Sequence, residues 1–101
     1  MSTMTRAIEY ADLARSAKDT ASGYAEMAKR NREYAVHDAA RDPLWAEYEL
    51  VRAAEYDVNA KLNRLRARVL LLERDAAILG AKADALHADI VKAREAGRSA
   101  R

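Results

Sequence analysis

Two histidines, His37 and His87, are the residues in this chain best suited to chemistry near neutral pH. Glu33 and His37 stand four apart and Asp84 and His87 three apart, so each pair shares a face if its segment is helical. Carboxylate plus imidazole at that spacing ligates metal in ferritin-like bundles, which also need further inward carboxylates and a second Glu-x-x-His. Asp84-Ala85-Leu86-His87 only approximates that motif and stands alone, so both pairs read as surface histidines beside acids. There is no cysteine, hence no thiolate nucleophile, disulfide or Cys-ligated zinc. The three glycines, Gly23, Gly80 and Gly97, are isolated and form no phosphate-cradling loop, and no nucleophile elbow occurs. The expectation is a protein without catalysis, cofactor, metal or small-molecule substrate.

Charge and aromatic residues offer binding instead. Lys61, Arg64, Arg66 and Arg68 form a basic block, and Lys92, Arg94, Arg98 and Arg101 make the end of the chain basic. Such clusters can neutralise nucleic-acid phosphates. Yet 18 basic residues face 16 acidic ones, and Asp42, Glu47, Glu49, Glu55 and Asp57 surround a single arginine, Arg52, just upstream of the block. Blocks of opposite sign along a helix more often select partner and register, so nucleic acid is the lesser expectation. Trp45, Tyr48 and Tyr56 cluster by the acidic stretch, and Trp and Tyr are favoured anchors at protein interfaces.

The elements carrying these residues must be helices. Ala, Glu, Lys, Leu and Arg make up 60 of 101 residues, above the roughly 50% that marks a coiled coil or long helix when the period fits. One break is strong: in Ala40-Arg41-Asp42-Pro43, Asp is a good N-cap and Pro suits the first helical position. A single domain spanning 1–101 is expected, with helix 1 over about 5–41, a turn at 41–43 and helix 2 over about 43–97. The ends, about 1–4 and 98–101, are expected to fray. No apolar run exceeds Val69–Leu72, so no membrane span is expected. The opening residues lack an apolar leader core, which makes the cytoplasm, or an assembly built there, the expected location.

Helix 2 carries a heptad stripe: Leu44, Tyr48, Val51, Glu55, Val58, Leu62, Leu65, Val69, Leu72, Ala76, Leu79, Ala83, Leu86, Ile90 and Ala93. Helix 1 repeats the spacing in smaller residues: Ala7, Ala11, Ala14, Lys18, Ala21, Ala25, Ala28, Arg32, Ala35 and Ala39. Folding back at Asp42 sets small against large, with Ala25 on Leu62, Ala21 on Leu65 and Ala14 on Leu72. The same register brings Arg32 to Glu55, the acid in the helix 2 stripe, and predicts a pair that fixes the alignment. The fold expected is therefore all-α: an elongated antiparallel helical hairpin with coiled-coil-like packing. The competing arrangement is one kinked helix that pairs only between chains.

Two features point beyond the hairpin. Helix 1 runs out near Leu79, leaving Leu86, Ile90 and Val91 without an internal partner. Leu70, Leu71 and Ile78 lie off the stripe, and a helix apolar on several faces expects several neighbours. Assembly into a larger helical bundle follows, through itself (a dimer first) or another protein, with Leu86, Ile90, Val91, Leu70, Leu71, Ile78, Trp45 and Tyr48 at the interface. The function expected is structural or adaptor work within a phage particle, secretion apparatus or regulatory assembly. A small viral inhibitor of a host protein would share this composition, and a nucleic-acid-associated regulator would use residues 61–68.

In length, hairpin architecture and a tryptophan at the turn, the chain resembles the secreted WXG100 proteins. Its turn reads Leu44-Trp45-Ala46-Glu47, with Glu47 where that family has glycine. No tyrosine follows Tyr56 to supply the family's Tyr-x-x-x-Asp/Glu export signal. The resemblance implies a secreted helical hairpin as an alternative function.

Overall fold

The computed structural model describes residues 2–99 and contains two helices, α1 (Thr3–Asp38) and α2 (Pro43–Ser99). They pack against each other as an antiparallel hairpin. The kinked single helix is thereby replaced by a chain that turns back on itself. Met1, Ala100 and Arg101, at the ends expected to fray, lie outside the described residues.

Each boundary has a local cause. Ser2 caps α1, its Oγ accepting from the Thr5 amide at 3.1 Å. Asp42 caps α2, its Oδ1 accepting from the Trp45 amide at 3.2 Å, and Pro43 follows at the first helical position. Between the helices, the amides of Arg41 and Asp42 both donate to the Asp38 carbonyl, at 3.0 and 2.9 Å. The turn therefore takes residues 39–41, and α1 stops at Asp38 rather than Arg41. α2 runs through Gly97 to Ser99.

The hairpin closes on a different face of α2 from the one expected. The buried apolar residues are Ala7, Ala14, Ala21, Ala28 and Ala35 on α1 and Ala46, Ala53, Ala60 and Ala67 on α2. On each helix they recur every seventh residue. Between them on α1 lie the half-buried Tyr10, Ala17, Tyr24, Asn31 and Asp38. Between those on α2 lie the buried Glu49 and Asn63 and the half-buried Tyr56. Leu44, Val51, Val58, Leu62, Leu65, Val69, Leu72 and Leu79, assigned above to the hairpin core, all face outward.

The physical reason lies in side-chain size. An alanine every seventh residue on both helices lets the backbones approach closely, with no side-chain entropy lost on burial. The expected α1 stripe would also have buried Lys18 and Arg32. Turning α1 to the Tyr10–Asp38 set leaves both exposed in water, where a charge costs least.

The molecule is a rod, 91 × 16 × 14 Å. Ala81 is the last partly buried position of α2, and every described residue beyond it is exposed. The unpaired segment expected after Leu79 is thus present as a continuous helix.

Candidate protein–protein interface

Because the alanine face of α2 turns inward, its leucine and valine face is presented to solvent along nearly the whole rod. Eleven large apolar side chains of the heptad stripe are exposed: Leu44, Tyr48, Val51, Val58, Leu62, Leu65, Val69, Leu72, Leu79, Leu86 and Ile90. Leu44 is 78% exposed, Leu72 66% and Leu86 62%, so the stripe is as open over the hairpin as beyond it. Its middle forms an open apolar groove lined by Leu62, Leu65, Arg66, Val69 and Leu70. An exposed apolar stripe of this length is unusual on a monomer.

The residues singled out from sequence distribute around this stripe. Leu86, Ile90 and Val91 are exposed on the unpaired segment. Trp45 and Tyr48 are exposed at the turn end and stack with ring centroids 4.9 Å apart. Ile78 is exposed to 37%, whereas Leu70 and Leu71 are half-buried. Leu70 continues the inward series of positions 60, 63 and 67 and so belongs to the hairpin side. The outward stripe residues Leu62, Leu65, Val69, Leu72 and Leu79 fall outside the interface expected from sequence, since the stripe was assigned to the hairpin. The signal that distinguishes them is the seven-residue recurrence of alanine at 46, 53, 60 and 67.

The register pair is corrected. Arg32 pairs with Asp57, not with Glu55. Both partners are about half exposed, with side-chain accessibilities of 50% and 42%, so the pair lies at the edge of the contact and not within it. Glu55 instead accepts from Arg52 at 3.0 Å within α2. Glu55 raises the pKa of that guanidinium above its ordinary value, and Tyr56 and Tyr48 add to the effect. Arg52 also lies over the Tyr56 ring, 5.4 Å from its centroid, and Tyr56 stacks on Tyr24 of α1 at 6.1 Å.

Two polar residues are buried in the hairpin. Asn63 donates to the Asn59 carbonyl at 2.8 Å, which satisfies its amide within α2. Glu49, near the turn, is 5% exposed, and its Oε1 has no hydrogen-bond partner among the described residues. Burial pushes its pKa up, and the facing carboxyl of Asp38 pushes it further. Asp38 moves the other way, held below its ordinary value first by Glu49 as hydrogen-bond donor and then by His37, whose Nδ1 lies 3.2 Å from Asp38 Oδ1. Burial and the neighbouring Asp38 carboxyl thus both favour the protonated form of Glu49.

Lys61, Arg64, Arg66 and Arg68 are all exposed, and none forms an ion pair among the described residues. Arg66 and Arg68 flank the leucine stripe. No cluster of three metal-ligating side chains occurs among the described residues, and no described helix is long and apolar enough to cross a membrane. No family model matches this chain, and neither the curated proteins nor the solved structures yield a match.

Proposed function

We propose that this protein is a non-enzymatic structural or adaptor component that works by protein–protein interaction and self-assembly. The observation that carries the reading is the division of α2 into two apolar faces. The small face is used inside the chain, and no described part of the chain covers the large one. Each buried alanine removes little more than a methyl group from water, worth about 0.8 kcal/mol. Each leucine or valine of the outer face would contribute about 1.5–3 kcal/mol if covered. The large apolar side chains of the α2 stripe are therefore buried only when another helix lies on it. The unpaired end of α2 supports the same reading, because Leu86, Ile90 and Val91 stand exposed on a segment that α1 does not cover.

Unfolding followed at several protein concentrations, alongside sedimentation of the same samples, tests the proposal. Assembly that stabilises the fold makes the thermal midpoint rise with concentration. The expected species is heavier than the 11.2 kDa chain, and a chain ending at Ala81 should assemble less tightly. A midpoint indifferent to concentration, with no partner protein retained on the wild-type stripe and lost on a Leu65→Gln, Leu72→Gln variant, would overturn it.

A further inference from the structure

We infer that the occupant of the leucine stripe is a second copy of this chain, lying antiparallel along α2, with the two-fold axis crossing between Val69 and Leu72. The inference rests on the proposed role of the stripe and adds the partner, its direction and its register.

Size comes first. The eleven exposed stripe side chains offer on the order of 1,000 Å² per chain, comparable to the roughly 800 Å² per partner of a standard stable interface. The stripe repeats in heptads over α2, which is the requirement for one long helix to seat along another.

Direction follows from the stripe's exceptions. In a parallel, in-register pair every layer meets itself. Glu55 would face Glu55 of the other copy, and Ala76, Ala83 and Ala93 would face their own counterparts, giving one layer of like charge and three hollow ones. Antiparallel pairing about the 69/72 midpoint replaces each of these. Ala76 meets Leu65 of the other copy, Ala83 meets Val58 and Ala93 meets Tyr48, so every alanine receives a larger side chain. Glu55 then faces Leu86 and keeps its own Arg52, which already holds it at 3.0 Å.

Register follows from the charges beside the stripe. With the axis between Val69 and Leu72, Arg68 lies against Asp75 of the other copy and Arg66 against Glu73, each contact occurring twice. Sliding by one heptad in one direction sets Arg66 and Arg68 against their own counterparts. Sliding in the other sets Glu73 and Asp75 against theirs. Both slips juxtapose like charges at the centre. The matched register also overlaps the two α2 helices fully. Residues 82–99, uncovered in their own hairpin, then lie beside residues 42–59 of the other copy. The apolar groove at Leu62–Leu70 falls next to the axis, where the second helix is closest.

A single spin label introduced by Ala85→Cys, at an exposed position in a chain without cysteine, reads the direction. Sedimentation equilibrium gives the mass of the same sample. The expected result is a dimer with an interchain label distance of roughly 45 Å, set by the 29 residues of helical offset at 1.5 Å each. A dimer with labels within roughly 20 Å overturns the antiparallel arrangement and leaves the interaction stripe standing. A monomer at every concentration overturns the self-partner. If the wild-type chain then still captures a protein that the Leu65→Gln, Leu72→Gln variant does not, the proposed function survives; if it captures none, both fail. Charge exchange checks the register. Arg68→Asp and Asp75→Arg should each weaken the dimer several-fold, and combining them should restore it. In the parallel pair Arg68 faces Glu73, so the combination would restore nothing, and that result contradicts the inference.

Discussion

The two faces of α2 differ in almost every physical respect. The inner face repeats alanine at 46, 53, 60 and 67 and is closed by α1, with Ala53 and Ala67 fully enclosed. The outer face repeats Leu, Val and Ile and remains open over the same length. The inner contact depends on closeness, since alanines carry little area but allow the backbones to meet. The outer face offers area, since its branched side chains would bury far more if another helix covered them. One helix can therefore specify two neighbours with two spacings, and apolarity alone does not say which comes from its own chain.

This contrast is most sharply broken by adding bulk to the inner face. Ala28 and Ala53 are both 0% exposed, and Ala28→Leu or Ala53→Leu forces apart a contact that exists only because the residues are small. The expected loss is about 1–3 kcal/mol each, read as a lower denaturant midpoint at fixed protein concentration. The same enlargement at Ala83, on the outer face, should cost nothing within the hairpin. An unchanged midpoint for Ala53→Leu would show that the alanine face is not the closed one.

A smaller effect distinguishes the faces by pH, because the buried carboxyl belongs to the inner one. Glu49 has a raised pKa in the folded chain, so the stability it supports is present below its unfolded value and is lost as pH rises through the folded one. Asp38 has a lowered pKa, and its contribution is lost as pH falls. Glu49→Gln keeps the shape and removes the first loss. The variant should be more stable than wild type near neutral pH, with the advantage shrinking as pH falls into the carboxylate range. A difference between the two proteins that does not vary with pH would mean that the fold does not raise the Glu49 pKa.

The smallest effect belongs to the edge of the inner face. Arg32 and Asp57 pair while about half exposed, so a double-mutant cycle over Arg32→Ala and Asp57→Ala should give a coupling below about 1 kcal/mol. The equivalent cycle between Arg32 and Glu55 should give none. Coupling in the second cycle and not in the first would restore the register in which the leucine face closes the hairpin.

The hairpin itself is legible in the sequence because its punctuation is local. Asp42-Pro43 caps one helix, the composition admits little besides helix, and the unpaired end after α1 runs out follows from counting residues. Which face closes is not legible from hydrophobicity, because the most apolar stripe of α2 outweighs the alanine stripe on any scale of transfer. The deciding quantity is a pairwise one, the closeness two alanine repeats permit when they meet. Reading α2 for every seven-residue repeat, and not for the strongest, exposes the alternative. Glu49 escapes for the same reason: it is inward only when positions 46 and 53 are. Of the candidate interface, Leu86, Ile90 and Val91 are legible as apolar residues beyond the end of α1, and Trp45 and Tyr48 as aromatic anchors beside the turn. Leu62, Leu65, Val69 and Leu72 become visible only once the hairpin has turned them outward.

The most direct test of the two-faced helix is a cysteine-alkylation scan along the middle of α2. Ala60→Cys, Leu62→Cys, Asn63→Cys, Leu65→Cys, Ala67→Cys and Val69→Cys are placed one at a time in a chain that has no other thiol. Reaction rates are measured at high protein concentration and again at the greatest dilution at which helix persists. Positions 60, 63 and 67 should be protected at both concentrations. Positions 62, 65 and 69 should be protected when concentrated and react freely when dilute. Protection of 62, 65 and 69 at every dilution, with 60, 63 and 67 reacting freely, would place the leucine face inside the hairpin and contradict the account.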